Sequence, residues 1–432
     1  MIIGGVFGLV LICFVAAALS RTDLSAASRE YEKNRADAEK EGLYFSREQV
    51  EARYQIPESE NGARLISGVL PLLGKLKLDR GTVLTAEMIK AEWAELEPAI
   101  ATIEEASHRK HLMFRRDFSN PAATLFPEYS SIKDWVKLLV QLGYISAEKN
   151  DYLSAEKYWS LAAYLAVKTD EEGMLIGTLV RIACAAIVER ELQTMVASRG
   201  RDPKMLQVLE SVLRKLNQPY DMKTPLKLEN WFATSIVDSV LNGSDGLEDL
   251  GFGNSLPNEI KYGRFLPGFR KANLSRIYRT YADAIHLIPD DPYDMAGVQR
   301  AYESLDRAGM KQGLSYTMQS IMMPVFSQAT LAVSRDIAQR NALIQAVALL
   351  KSGSDLNKGL PLKDRHAKDV DGKSIRLKKK PSGWVIYSIG RDKVDDGGIP
   401  VDTHGKGDYV VRLPKQISKK SKGSPIGYQS LD

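Results

Sequence analysis

From Arg21 to about Leu241 apolar residues recur at three and four positions, and the breaks between runs carry Gly, Pro, Asn or Ser. A period near 3.6 over that length commits the chain to packed helices, because strands need alternation and strand-like runs are almost missing here. The pattern predicts helices over about 22–41, 46–54, 61–74, 85–110, 131–149, 152–168, 171–198, 203–216, 226–241, 270–287 and 294–308. A further long helix is expected from Pro324 through VFSQATLAVSRDIAQRNALIQAVALLK, with proline suited to a first helical turn. After the Gly/Ser/Asn break at 352–359 the period becomes two, in Ser374 to Leu377, Trp384 to Ile389 and Tyr409 to Leu413. The expected fold is therefore mainly α, with a small α+β unit at the C-terminal end.

A length of 432 residues asks for one large or two smaller domains. The 59 basic and 54 acidic residues leave a net charge of only +5, and eight Lys/Arg against three Asp fall within 363–380. That is a local basic patch and argues against a nucleic-acid protein. Cys13 lies in the leading apolar run and Cys184 in IACAAIV, so no disulfide framework exists, and Cys184 reads as a buried small hydrophobe.

The first twenty residues, MIIGGVFGLVLICFVAAALS, carry no charge and reach roughly 30 Å as a helix, the thickness of a bilayer core. They are expected to form a transmembrane anchor. Ala16-Ala17-Ala18 leaves a cleaved signal peptide as the alternative, but no cationic segment precedes the apolar run and a helix-favouring stretch continues it. Basic residues give no orientation, since none precedes the span and those after it are mixed with acids.

Within LGYISAEKNDYLSAEKYWSLA, Leu142-Gly143, Ala155, Trp159 and Ala162 stand at tetratricopeptide spacing. Small residues at Gly143 and Ala155 would let two antiparallel helices approach closely. No second copy at a 34-residue period is visible, so a single hairpin in a compact helical domain is expected rather than a solenoid. Residues 242–268 read as a long irregular loop broken by glycine and proline.

No nucleophile elbow, Walker loop or H-E-x-x-H occurs, and GFGNSL at 251–256 lacks the third glycine of a dinucleotide site. His108 and His111 in SHRKHLMFRRD have a usable metal spacing but mostly cationic neighbours, and a solvated basic helix face explains them better. Met318, Met322 and Met323 suit a helical core face, and PDDPYD at 289–294 suits a capped turn. The rival to a non-catalytic protein is a hydrolase using Asp245, Glu248 and Asp249 of the long loop.

The chemistry-bearing stretch lies between the last two strands. Asp392, Asp395, Asp396, Asp402 and Asp408 face Arg391, Lys393 and Lys406 within 391–408. So many anions repel unless water or a cation screens them. Calcium takes six to eight oxygen ligands and tolerates irregular glycine-rich loops. An EF-hand is excluded, because counting from Asp392 puts Thr403 at position twelve. Composition alone leaves a solvated hairpin turn and a calcium loop both open, the turn being the commoner outcome.

SIGRDKVDDGG followed by Gly407-Asp408-Tyr409 resembles the end of type II secretion major pseudopilins, whose S-x-G-x-D-G-x-x-G-G stretch and later acid form a calcium-holding loop. RDIAQRNALIQAVALL resembles the pilin helix before it, and Asp371-Gly372-Lys373 the turn into the first strand. By that resemblance Ser388, Asp392 and Asp408 match the motif serine and two acids; Asp395, Asp396 and Asp402 are metal-site candidates from the loop's composition alone. Lys393 replaces a motif glycine, Asp395-Asp396 are extra, and the anchor is not fused to this helix. Most of the chain also resembles uncharacterised bacterial anchored proteins, through EGLYFSREQVEARYQIPESENGA, LIGTLVRIA and the YS-x-G to DDGG ending. No activity comes with that likeness, but it implies a bulk outside the cytoplasmic membrane.

The expected organisation is an anchor at 1–20, a helical domain at 21–312, a pseudopilin-like unit at 313–414 and a basic tail at 415–432. The function expected is a non-enzymatic extracytoplasmic scaffold or assembly protein with a structural calcium loop, held to the membrane by its first helix and offering the helical domain to a protein partner, linked to secretion or pilus machinery. An accessory pilin-like subunit is a further alternative. The lysines at 378–380 and in KQISKKSKG either touch anionic headgroups or keep the tail soluble, the latter being the default.

Overall fold

A computed structural model describes residues 26–75, 85–119, 121, 124–241, 268–291, 294–311, 326–353, 374–381, 383–390, 393–402 and 406–414. The chain is mainly helical with one small sheet. In order, the described helices are α1 (26–40), α2 (Arg47–Ala52), α3 (Ala63–Val69), α4 (Leu72–Lys75), α5 (Ala86–Ala91), α6 (Trp93–Ser107), α7 (Glu128–Glu148), α8 (Tyr152–Lys168), α9 (Leu175–Arg199) and α10 (Pro203–Leu216). There follow α11 (Thr224–Leu241), α12 (Phe269–Leu287), α13 (Met295–Gly309) and α14 (Ser327–Ser352), then strands β1 (Arg376–Lys380), β2 (Gly383–Ser388) and β3 (Tyr409–Arg412).

Local chemistry explains most boundaries. Asp151 and Asp202 accept from the Ser154 and Lys204 N–H groups and so start α8 and α10, the latter with Pro203 in its first turn. Ser46 and Gln49 close a capping box on α2. Two predicted helices are each divided in two. The helix expected over 61–74 breaks at Leu70-Pro71, because proline has no N–H to continue the ladder. The one expected over 85–110 breaks at Glu92 and ends at Ser107, which leaves His108 and His111 off any helix.

The chain forms two compact units, and their segments interleave where the sequence reading sets 21–312 and 313–414 in series. The first takes the described residues of Met1–Gln55, Arg115–Leu125 and Asp221–Thr330; the second takes Ile56–Phe114, Phe126–Tyr220 and Leu331–Asp432.

The first unit is built on aromatic contacts. Phe118 meets Trp231 edge-on at 5.6 Å between centroids, and Phe45 meets Tyr278 at 5.1 Å. Buried Asn34 of α1 donates to Ser275 Oγ of α12 at 2.9 Å. Asp306 on α13 accepts from the N–H groups of Phe326 at 2.6 Å and Ser327 at 3.1 Å, supplying from another helix the cap that opens α14.

The second unit is a bundle in which α8 packs against α7, α9 and α10, with one hydrophobic core running through to the sheet. α7 and α8 form the predicted hairpin. Its closeness rests on Gly143: a Cβ there would lie 2.3 Å from Nε1 of Trp159, whose indole N–H donates to the Val140 carbonyl at 3.2 Å. Ala155 and Ala162 are fully buried. Cys184 is buried and free as expected, and burial pushes its thiol up to about 12.

The sheet has the order β1-β2-β3, antiparallel throughout, with Lys378 opposite Val385 and Ile386 opposite Val411. Alternation divides it into two faces. Ile386 and Val411, with Leu377 and Trp384 beside them, join the core that also holds Leu343 and Val347 of α14 and Val188 and Leu192 of α9. The other face carries Arg376, Lys378, Lys380, Val385 and Tyr387.

No described helix is long and apolar enough to cross a membrane. The expected anchor at 1–20, the three methionines at 318–323, the tail at 415–432 and the loop acids Asp245, Glu248 and Asp249 lie outside the described residues.

Candidate functional site

The acidic loop lies on the basic face of the sheet. Asp395 is ion-paired with Arg376 of β1 at 3.1 Å, accepts from the Tyr387 hydroxyl at 3.1 Å and from the Gly397 N–H at 2.9 Å. Burial works to raise its pKa, but these hydrogen bonds and the charges of Arg376 and Lys378 hold it below the ordinary value. Lys378 leans over Gly397, where a Cβ would lie 2.3 Å from Nζ, and a Cβ on Gly398 would lie 3.0 Å from Val385. Both glycines have positive φ, 66° and 78°, which lets the backbone lie flat on the strands. The charge of Asp395 is thus answered by Arg376 of the strand beside it, with Lys378 adding to the field.

Asp408 is the exception. It is only 1% exposed; one oxygen accepts from the Gly398 N–H at 2.6 Å, and Oδ1 is buried with no hydrogen-bond partner. Burial raises its pKa, the N–H groups of Gly398 and Asp396 oppose the rise, and the nearby charges of Asp395 and Asp396 add to it. The structure therefore brings Asp395, Asp396 and Asp408 into one electrostatic neighbourhood.

The remaining candidates sit elsewhere. Asp402 is exposed and closes its own turn, accepting from the Lys406 N–H at 2.9 Å while its N–H donates to the Lys406 carbonyl. Ser388 is buried at the end of β2, where alternation sets it on the face opposite Tyr387, and its hydroxyl donates to the Ile389 carbonyl at 3.2 Å. Asp392 lies outside the described residues. No group of three His, Cys, Asp or Glu side chains placed to hold a metal occurs among the described residues. A divalent ion would find its natural ligand in Asp408 Oδ1, which is buried and has no hydrogen-bond partner among the described residues, with Asp396 beside it. Asp395 is largely committed to Arg376 and Tyr387.

A second cluster escaped the sequence reading. Arg340 of α14 donates to Glu189 of α9 at 2.8 Å and to Asp336 one turn away, and all three side chains are at most 2% exposed. The Tyr220 hydroxyl donates to Asp336 at 2.6 Å, and the Arg181 guanidinium lies 3.9 Å from the Tyr220 ring centroid. One arginine faces two acids, so burial, and then Asp336, raises the pKa of Glu189. The available signal was the i,i+4 pair Asp336 and Arg340 inside an otherwise apolar helical run. The cluster is sealed within the core and reads as structural.

His111 also differs from expectation. Instead of lining a solvated helix face it is half-buried, its Nδ1 2.6 Å from Glu171, whose other oxygen accepts from the Leu112 N–H at 2.9 Å. Glu172 next to it accepts from the Phe114 N–H and the Tyr129 hydroxyl. These two glutamates fasten the extended segment after α6 to the bundle. Comparison with protein-family models, characterised proteins and solved structures finds no match to this chain.

Proposed function

We propose that this protein is a non-enzymatic scaffold or assembly protein, anchored by its first twenty residues with its bulk outside the cytoplasmic membrane, whose C-terminal loop takes one structural calcium ion. The observation that carries the calcium reading is the buried, donorless Oδ1 of Asp408 beside Asp395 and Asp396. A buried carboxylate oxygen without a partner is costly, and a cation there would offset both its desolvation and the repulsion from the neighbouring acids. The helix followed by a three-stranded antiparallel sheet supports the pseudopilin-like part of the reading. The close α7–α8 hairpin supports a tetratricopeptide-like docking element for a protein partner.

The test is thermal unfolding of the full chain in calcium and in chelator. Mass action predicts a rise of the midpoint with calcium concentration. Equal midpoints would remove the metal from the proposal.

A further inference from the structure

We infer that the loop over the sheet, together with β1, docks on an anionic phospholipid surface. Val394 and Ile399 expose 52% and 56% of their surfaces. They bracket a segment held down by Asp395 on Arg376 and by the Gly398 N–H on Asp408, so both apolar side chains project from an anchored loop. Lys378 and Lys380 of β1 reach to Gly397 and Gly398, within the same stretch.

Charge decides the occupant. Arg376, Lys378 and Lys380 on this face, with Lys393 and Lys406 of the loop, oppose Asp395, Asp396, Asp402 and Asp408, five cations against four anions. Asp395 is paired with Arg376 and Asp408 is buried, while none of these four lysines makes an ion pair among the described residues. The outward surface therefore sets two apolar side chains among four ammonium groups that outnumber the carboxylates of Asp396 and Asp402. Protein interfaces disfavour lysine and draw on aromatic residues and arginine, whereas interfacial membrane contacts combine apolar side chains with lysine above anionic headgroups. This docking needs no calcium and stands apart from the metal reading.

The experiment follows hydrogen exchange of the full chain mixed with vesicles of phosphatidylcholine alone or with phosphatidylglycerol, in chelator. Exchange over 393–400 is expected to slow only on the anionic vesicles. Lys378→Gln with Lys380→Gln should weaken the contact by roughly tenfold or more, since each lysine near such a surface contributes a several-fold factor. Val394→Ser with Ile399→Ser should weaken it independently, with the amides of β2 reporting that the sheet remains folded. Unchanged exchange on anionic vesicles, equal slowing on neutral ones, or full binding by the lysine variant would overturn the inference. The calcium-dependent unfolding midpoint is a separate readout and is unaffected by any of these results.

Discussion

The indole of Trp159 covers Gly143 so closely that a Cβ on that glycine would lie 2.3 Å from Nε1. Gly143→Ala should therefore destabilise the protein. Overpacking costs about 1–3 kcal/mol, which outweighs the gain of at most about 1 kcal/mol in helix propensity. Urea midpoints for Gly143→Ala and for Gly143→Ala with Trp159→Phe measure this. A stabilised single variant would mean that the two helices are not in this contact.

Arg340 is buried between Glu189 and Asp336. Arg340→Met leaves two uncompensated acids in the core and should cost about 3–5 kcal/mol. Replacing Glu189, Asp336 and Arg340 together by apolar residues, with Tyr220→Phe, should recover most of that loss. If the single variant is neutral in denaturant unfolding, the charges are not sealed from water.

Stability should fall as pH rises through the weakly acidic range. Burial, with Glu148 adding, pushes Glu191 up from 4.5 to about 7, and Glu189 shifts in the same direction. A raised folded pKa means that the native state holds a proton the unfolded chain releases. The stabilisation is complete below 4.5 and is lost as pH rises through about 7. Glu191→Gln should flatten that slope by roughly 2–3 kcal/mol. A wild-type stability curve that is flat between those values would contradict the burial of this carboxyl.

Asp408→Asn tests the proposed metal directly. It should abolish any calcium-induced rise in the unfolding midpoint, whereas Asp402→Asn, on an exposed turn, should retain it. Equal responses from the two variants would separate the calcium from Asp408.

At the paired glycines, substitution should discriminate strain from crowding. Both need positive φ, so either alanine costs roughly 1–2 kcal/mol. Gly397→Ala meets only the movable end of Lys378, while Gly398→Ala also presses on Val385 at 3.0 Å. The second should be the more destabilising in thermal melts, and the reverse order would argue that the loop does not lie on the sheet.

The sequence by itself determined what depends on near neighbours. Apolar spacing located the helices, with α8 and α10 at their observed limits, and period-two alternation located β2 and β3 but only the first two residues of β1, which runs on through Lys378–Lys380. Gly143, Ala155 and Trp159 disclosed a close hairpin because small residues on facing turns have one main use. The divided helices show the limit of that reading, since periodicity continues across Pro71 and Glu92 although the backbone does not.

Only the tertiary structure decided which charges meet. Asp395 finds Arg376 because loop and strand share one sheet face, a consequence of register rather than of spacing. Arg340 finds Glu189 across 151 positions. That distance in sequence carries no local signal, because Coulomb energy depends on where folding places two groups and on how much water it leaves between them. For the same reason one of the loop acids, Asp395, is answered by an arginine on the adjoining strand, while the buried Asp408 keeps an oxygen without a hydrogen-bond partner.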